Sequence, residues 1–547
     1  MVTPNTLTSR YLAEVAERGG GAARLVQLAR EQFDLAATSY DGDCLTRPVF
    51  LEYAEFSVLR DDLLALHAAL ATLPVRLFGG DVAAFARAVG MTGAQVTAIE
   101  RAGGQPPTRL GRADLFRDET AFRVLELNLG SALGGLDNAL LNRAFLTDPA
   151  VADFVASHGL SYVDTMDVLV DTLRAECGLP AAARPLIAVA DWPDSFAVLE
   201  RQLRYSAAQL TRYGLEAVPC HLGQLRAADR RVWLDGRPVD VIYRVFLIKD
   251  LLRPEAGELA EPLLRAAERG EVALFAPMDA ELYGSKGALA LLSDEANRHL
   301  FSDAELASLD RVLPWTRMVR PGPVTVGGGG QADMNEHALA EREHLVLKPT
   351  ALHSGAGVIQ GWLTSPDEWR HRLTAAMSGP YVLQRRIRPL AEPFPAESGP
   401  RPWALWWGAF LGAPGYGGAI VRGSTDPDAG IKSMPHGATG TCCFHQPSRP
   451  PSPQPPPPGP PRVSQGRHHI RHITDLGHDH VRFVQVCAAK IREENPRDVQ
   501  YVDTGRPPGQ LDASPPGPAL ISRRAFRMST RSPPPGPVPR SGVPSSR

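Results

Sequence analysis

Glu343-His-Leu-Val-Leu-Lys348-Pro-Thr-Ala-Leu-His353-Ser354-Gly355-Ala-Gly357-Val-Ile-Gln-Gly-Trp362 carries the decisive pattern. An apolar run, Leu345 to Leu347, delivers a lysine. A short loop with two glycines follows, then a second apolar step at Val358-Ile359. A strand, a cation and a glycine-bearing loop suit a polyphosphate, because lysine neutralises phosphate oxygens and glycine lets backbone N–H groups approach them. The same pattern also describes a buried strand that ends in an exposed lysine and a tight hairpin. The rest of the chain has to separate the two.

At 547 residues the chain holds about three domains' worth of material. Its 44% hydrophobic and 22% charged residues are ordinary for a globular protein. A net charge of −2 implies no polyanion-binding surface, so nucleic acid is not an expected partner. Met1 to Arg10 has no apolar core of the signal-peptide kind. No window approaches the about 18 apolar residues of a membrane span, so no membrane partner is expected. The six cysteines, Cys44, Cys177, Cys220, Cys442, Cys443 and Cys487, lack paired spacing, which fits a reduced, cytoplasmic protein. Five lysines stand against 53 arginines, a bias that GC-rich coding explains. Lysine persists only at 249, 286, 348, 432 and 490. Where a compact point charge is needed, arginine's planar fork substitutes poorly.

Residues 1–105 read as a helical region without visible chemistry. Leu59, Leu63, Leu66, Leu70 and Leu73 recur at helical spacing until Pro74 stops the pattern, and 83–101 reads as one further helix. Strand and helix signals alternate over 186–244: strands at Leu186–Ala190, Leu215–Pro219 and Val239–Val245, and an amphipathic helix at Ser195–Tyr213. Residues 286–310 read as helix, 322–333 as a glycine-rich flexible loop, 343–388 as strands around a helix at Asp367–Met377, and 403–421 as strand. From Pro447 the character changes. Twenty-two of the 50 prolines lie in 447–547, and such sequence cannot bury a core. The tail reads as disordered, and its abrupt onset has the look of out-of-frame translation. The histidines at 468, 469, 472, 478 and 480 have no structured context for a metal site.

A second anchor is Gly111-Arg112-Ala113-Asp114 through Glu126-Leu127-Asn128. Period-two alternation puts Arg112 with Asp114 on one face, and Glu126 with Asn128 on one face. A turn centred on Thr120 sets Asp114 opposite Glu126 and Arg112 opposite Asn128, with cross-strand partners about 5 Å apart. Two carboxylates and an amide oxygen then converge, a hard-oxygen cluster suited to Mg²⁺. The other reading is a solvated polar hairpin face, although two close acids without a cation repel.

Arg-x-Asp followed by Glu-x-Asn, with lysine and glycine-loop motifs far downstream, resembles the glutathionylspermidine synthase family. The resemblance spans about residues 40–446 and rests on the joint order of short motifs. It implies a circularly permuted ATP-grasp fold of the α/β (α+β) class, in which metal-binding carboxylates precede nucleotide-binding lysines. It implies Asp114, Glu126 and Asn128 as magnesium ligands, and Arg112 as the arginine beside the transferring phosphoryl group. Lys286, opening a helix in Tyr283-Gly-Ser-Lys286-Gly, matches the first nucleotide lysine, and Lys348 the second. His353, Ser354, Gly355 and Gly357 match the loop over the phosphates. Gln384 in Tyr381-Val-Leu-Gln384, or backbone near it, falls where the adenine is met, and Arg422 matches a late arginine near the phosphates. The expected organisation is a helical region (1–105), a metal-binding hairpin half (106–180), an α/β domain (181–280), a lysine and glycine-loop half (281–446) and the tail (447–547).

The implied activity is ATP-dependent carboxylate–amine ligation, with ATP and Mg²⁺ as cofactors and small-molecule or peptide acids and amines as substrates. A phosphotransferase on the same scaffold and a non-catalytic nucleotide- or peptide-binding module are the alternatives. The amidase domain of bifunctional relatives is not evident: the N-terminal segment is short and Cys44 lacks a recognisable histidine partner. No motif for glutathione or a polyamine is present. The segment Thr439-Gly-Thr-Cys442-Cys443-Phe falls where the fold's last strands belong. Arg244, at the end of a strand, is a candidate for a substrate carboxylate or a surface ion pair. Asp191-Trp-Pro-Asp194 suits a helix cap, and Trp403, Trp406 and Trp407 suit packing.

Overall fold

The hairpin forms in the expected register, by a route the alternation did not anticipate. Gly111–Arg117 (β2) and Phe122–Leu129 (β3) pair antiparallel, with Arg112 opposite Asn128 and Asp114 opposite Glu126. The turn is half a residue off Thr120, because Arg117 faces Phe122. A shift between Asp114 and Leu115 leaves Leu125 as a bulge and restores the pairing below it. The computed structural model describes residues 6–18, 44–101, 107–351, 355–396, 399–426 and 438–448. The tail beyond 448, with its histidines, lies outside the described residues.

The hairpin belongs to a seven-stranded sheet ordered β1-β20-β19-β18-β2-β3, with Ala391–Phe394 (β17) pairing alongside β18. Its other members are Val49–Leu51 (β1), Arg401–Gly412 (β18), Gly415–Ser424 (β19) and Thr439–His445 (β20). Long apolar strands such as Trp406 to Gly412 are buried on both faces. The N-terminal region is therefore not helical throughout: β1 is an edge strand, running parallel to β20. The helix Tyr53–Phe78 also passes Pro74, ending at Gly79, whose φ of 61° gives a left-handed stop. Its face of Leu59, Leu63, Leu66, Leu70 and Leu73 is buried, so packing holds the turn that proline weakens.

A second sheet is wholly parallel and ordered β10-β9-β4-β5, from Leu186–Asp191 (β4), Glu216–His221 (β5), Val241–Arg244 (β9) and Ala273–Phe275 (β10). Leu225–Ala228 (β6), Arg231–Leu234 (β7) and Arg237–Val239 (β8) form a small meander between β5 and β9. The third sheet, ordered β11-β16-β14-β15, comprises Thr316–Met318 (β11), Leu345–Pro349 (β14), Ile359–Gln360 (β15) and Tyr381–Arg385 (β16). The stretch 322–333 is not a loop alone. Pro323–Thr325 (β12) and Gln331–Asp333 (β13) pair across the glycines.

Two expected helices are broken. Residues 83–101 divide into Val82–Ala88 and Gly93–Arg101 around Gly90, whose φ is 94°. Residues 286–310 divide into Lys286–Ser293, a 3₁₀ turn at Glu295–Leu300 and Asp303–Val312. Asp294 and Ser302 cap the later two pieces, a competition between side chain and helical backbone that periodicity does not register. Asp194 caps nothing; it sits in the first turn of Pro193–Arg212 and pairs with Arg253 at 2.7 Å.

Candidate functional site

The polar face of the hairpin is where the large sheet has least side chain. Gly408 of β18 faces Asp114. A Cβ there would lie 3.0 Å from Cδ of Arg112 and 2.8 Å from Ile420, so the glycine leaves room for the arginine to lie across the strand. Arg112 grips Asp114 with two bonds, Nε to Oδ1 at 2.7 Å and Nη2 to Oδ2 at 3.0 Å, and donates from Nη1 to the Gly134 carbonyl at 2.9 Å. Arg422 of β19 approaches the same carboxylate at 3.8 Å.

Lys286 arrives from another element. Ser285 caps its helix by accepting from Gly287 N–H, and Ser285 also donates to the Val89 carbonyl. The Lys286 N–H donates to the Thr350 carbonyl at 3.0 Å, tying the helix start to the end of β14. Gly287 must be glycine, since a Cβ would stand 2.3 Å from the Val89 oxygen. So held, Lys286 reaches Glu126 at 3.0 Å.

Lys348 is 3% exposed, which excludes the reading of an exposed lysine ending a strand. Its ammonium donates to Oε1 of Gln384 at 2.6 Å and to the Leu125 carbonyl at 3.3 Å, bridging 223 residues of sequence to the hairpin bulge. Burial holds its pKa down at about 8; Glu126 and Asp114 oppose that fall and Lys286 adds to it. Gln384, paired across from Val346, donates its Nε2 to Oγ1 of Thr316 at 3.2 Å. Both ends of the Gln384 amide are thus engaged, and the residue also lines the cleft beside Lys348.

Beside Lys348 opens a cleft of about 560 Å³, within the usual range for a ligand site. Phe116, Leu125, Val346 and Ile387 supply apolar walls, and the Arg386 guanidinium lies 3.8 Å over the Trp362 ring. Gly355 and Gly357 have φ of 77° and 69°, left-handed conformations that only glycine adopts easily. His353 and Ser354 lie outside the described residues. The structure thus brings Arg112, Asp114, Glu126, Lys286, Lys348, Gln384 and Arg422 into one connected network. Asn128 faces Arg112 across the hairpin, and its Nδ2 is buried without a hydrogen-bond partner.

Among the described residues no three His, Cys, Asp or Glu side chains gather as metal ligands. The hairpin offers two carboxylates and the Asn128 amide oxygen, an oxygen set that fits a hard cation completed by phosphate oxygens and water, while the unmet Asn128 Nδ2 is a hydrogen-bond donor that would not ligate it. Arg244 is neither on the surface nor open to a substrate. It is 2% exposed, pairs with Glu281 at 2.9 Å and donates to the carbonyls of Phe246, Ala276 and Pro277. Trp406 and Trp407 are core residues, as expected. Cys44, Cys177, Cys220, Cys442 and Cys443 are free thiols. Among the described residues no single helix is long and apolar enough to cross a membrane. Sequence reasoning missed Trp362, Arg386, Thr316 and Gly408; the glycine between Trp407 and Ala409 was the one visible signal.

No protein-family model matches the sequence, and no curated protein does. Among solved structures, the chain resembles a glutathione synthetase-like effector from Globodera pallida. The TM-score is 0.50 at 13% identity, over 79% of this chain and 99% of that one. A putative γ-glutamylcysteine synthetase from Methylobacillus flagellatus KT aligns at a TM-score of 0.36 and 12% identity, over 70% of this chain and 87% of that one. That second likeness is too distant to argue from. The architecture is mixed α/β of the ATP-grasp type.

Proposed function

We propose that the chain is an ATP-dependent carboxylate–amine ligase, of circularly permuted ATP-grasp order and similar to glutathionylspermidine synthase. The observation that carries this is the convergence of hairpin carboxylates, Lys286 and Lys348 from segments far apart in sequence. In this reading residues 106–180 and 281–446 form the catalytic core, 181–280 an accessory α/β domain, 1–105 a packing region, and 447–547 a tail without function.

Asp114, Glu126 and Asn128 would hold Mg²⁺, which when bound offsets phosphate charge. Lys286 and Lys348 would bind the α- and β-phosphates, with His353 to Gly357 closing over them. The base would enter the cleft between Ile387 and Trp362. The substrate carboxylate oxygen attacks the γ-phosphorus, the bond to the bridging oxygen breaks, and ADP leaves. Arg112 and Arg422 would stabilise charge on the transferred group. An amine then attacks the acyl phosphate, releasing phosphate and a proton and leaving an amide. The internal pairs Arg112–Asp114 and Lys286–Glu126 keep both sets of charges compensated until nucleotide and cation arrive together.

The test is to incubate the folded, full-length chain with Mg-ATP and pooled acids and amines, following ADP and identifying products by mass. An amide with ADP supports the proposal. A phosphorylated product without amide would assign a phosphotransferase, and nucleotide binding without any ADP a binding module.

A further inference from the structure

Open parallel sheets commonly present the carboxyl ends of their strands to a ligand, where the strand order reverses. In the order β10-β9-β4-β5 that point lies between β9 and β4, and Arg244 stands at the carboxyl end of β9. What Arg244 meets there is the chain itself. Its Nε donates to the Ala276 carbonyl and its Nη2 to the Pro277 carbonyl at 3.3 Å. Its Nη1 donates to the Phe246 carbonyl at 2.7 Å and to Oε1 of Glu281 at 2.9 Å. The same Glu281 oxygen accepts from the Ile248 N–H at 3.0 Å. On the other side, the Arg244 carbonyl accepts from the Ser131 hydroxyl, and the Ser131 carbonyl accepts from the Tyr243 hydroxyl at 2.9 Å.

Two segments of the site are tied here. Ser131 follows closely on Asn128, so one set of bonds holds the end of β3. Ala276 to Glu281 leads to Lys286, so the other set holds the approach to that lysine. Ala276 has a φ of 57°, a left-handed conformation that costs energy for a residue with a Cβ, and Arg244 grips its carbonyl. The short helix Ala280–Tyr283 then ends against the hairpin. A Cβ on Gly284 would stand 3.2 Å from both the Leu127 oxygen and the Leu129 nitrogen. Lys286 follows and meets Glu126 at 3.0 Å. A buried ion pair is often no more stabilising than apolar residues of the same size, so stability alone does not account for Arg244 and Glu281.

We propose that Arg244 is a positioning residue: with Glu281 it sets Lys286 against Glu126 and ties the parallel sheet to the hairpin. The part this plays in nucleotide binding rests on the ligase reading, whereas the placement of Lys286 does not.

The test replaces the pair with apolar side chains, Arg244→Met/Glu281→Leu, which leaves no uncompensated charge. Glu281→Gln is the milder companion, since its amide oxygen still serves Arg244 and the Ile248 N–H, and it decides where the double variant does not fold. Thermal unfolding identifies the folded samples. The readout is the rate of acetylation of the five lysines in the full-length chain, resolved by mass. Lys286 and Lys348 are both buried, so each reports its own surroundings. Lys286 should label about tenfold faster in the double variant and about threefold faster in Glu281→Gln, with Lys348 unchanged. A merely structural role would expose both lysines together. Mg-ADP affinity by calorimetry should fall about tenfold in the double variant, and stay unchanged when the same substitutions are made in Lys286→Met. Native-like labelling of Lys286 in the folded variants, a parallel rise at Lys348, or an equal loss of affinity in the Lys286→Met background would overturn the proposal. Selective labelling of Lys286 in a chain whose native form binds no Mg-ADP would uphold the positioning role and defeat the nucleotide site alone.

Discussion

Nucleotide binding should draw a proton into the protein at alkaline pH, and Lys348 is the group that takes it. Its ammonium sits buried between the Gln384 amide and the Leu125 carbonyl, with a pKa lowered by burial to about 8. Phosphate oxygens placed beside it would favour the charged form and return the pKa to the ordinary lysine range of about 10.4 or above. At pH 8.5 about three-quarters of the free protein would then hold a neutral Lys348, while nearly all of the complex holds it charged, so about 0.7 proton is taken up per nucleotide. Affinity should fall up to about tenfold per pH unit between about 8 and 10. The same depressed pKa bears on folding. Below pH 8 both states carry the charge and the folded state bears the burial cost. As pH rises from about 8 to 10.4 the folded state releases its proton first, so stability increases, by about 3 kcal/mol if the group acts alone. Calorimetry of Mg-ADP binding in buffers of different ionisation enthalpy measures the uptake directly. Lys348→Met should abolish it. Uptake near zero at pH 8.5 in the native chain, or equal uptake in Lys348→Met, would refute the reasoning.

Asp114→Ala and Glu126→Ala should each abolish turnover with no loss of fold, checked by product assay beside circular dichroism. Gly287→Ala should destabilise by about 1–3 kcal/mol in denaturant melts and weaken nucleotide binding, because its Cβ would stand 2.3 Å from the Val89 oxygen at the start of the Lys286 helix. Mg²⁺ and nucleotide should each tighten binding of the other by about 5- to 150-fold in paired titrations, since each releases one side of the Arg112–Asp114 and Lys286–Glu126 pairs. Removal of Mg²⁺ with a chelator should end turnover and restore on re-addition.

The polar face of the hairpin was legible because strand alternation has period two and the acids and the arginine share it. The lysines stood out because arginine has replaced nearly every other cation. Gln384's role was not legible. Its neighbours Lys348 and Thr316 come from strands 36 and 68 residues away, and only the β11-β16-β14 pairing brings them together. The Leu125 bulge escaped notice because no glycine or proline marks it. The breaks at Gly90 and at 294–302 lie within apolar periodicity that continues across them, so caps rather than pattern decide there. The edge strand Val49–Leu51 is three residues long, and its partner Cys443–His445 is almost four hundred residues away, beyond the reach of any local signal.

The central claim is that the hairpin, Lys286 and Lys348 form one Mg-nucleotide site. Calorimetric titration of the full-length chain with Mg²⁺ and a non-hydrolysable ATP analogue tests it most directly. The account predicts saturable binding at one site, lost in the Lys286→Met/Lys348→Met double variant although that variant stays folded. No binding to the native chain, or binding unchanged by loss of both lysines, would contradict it.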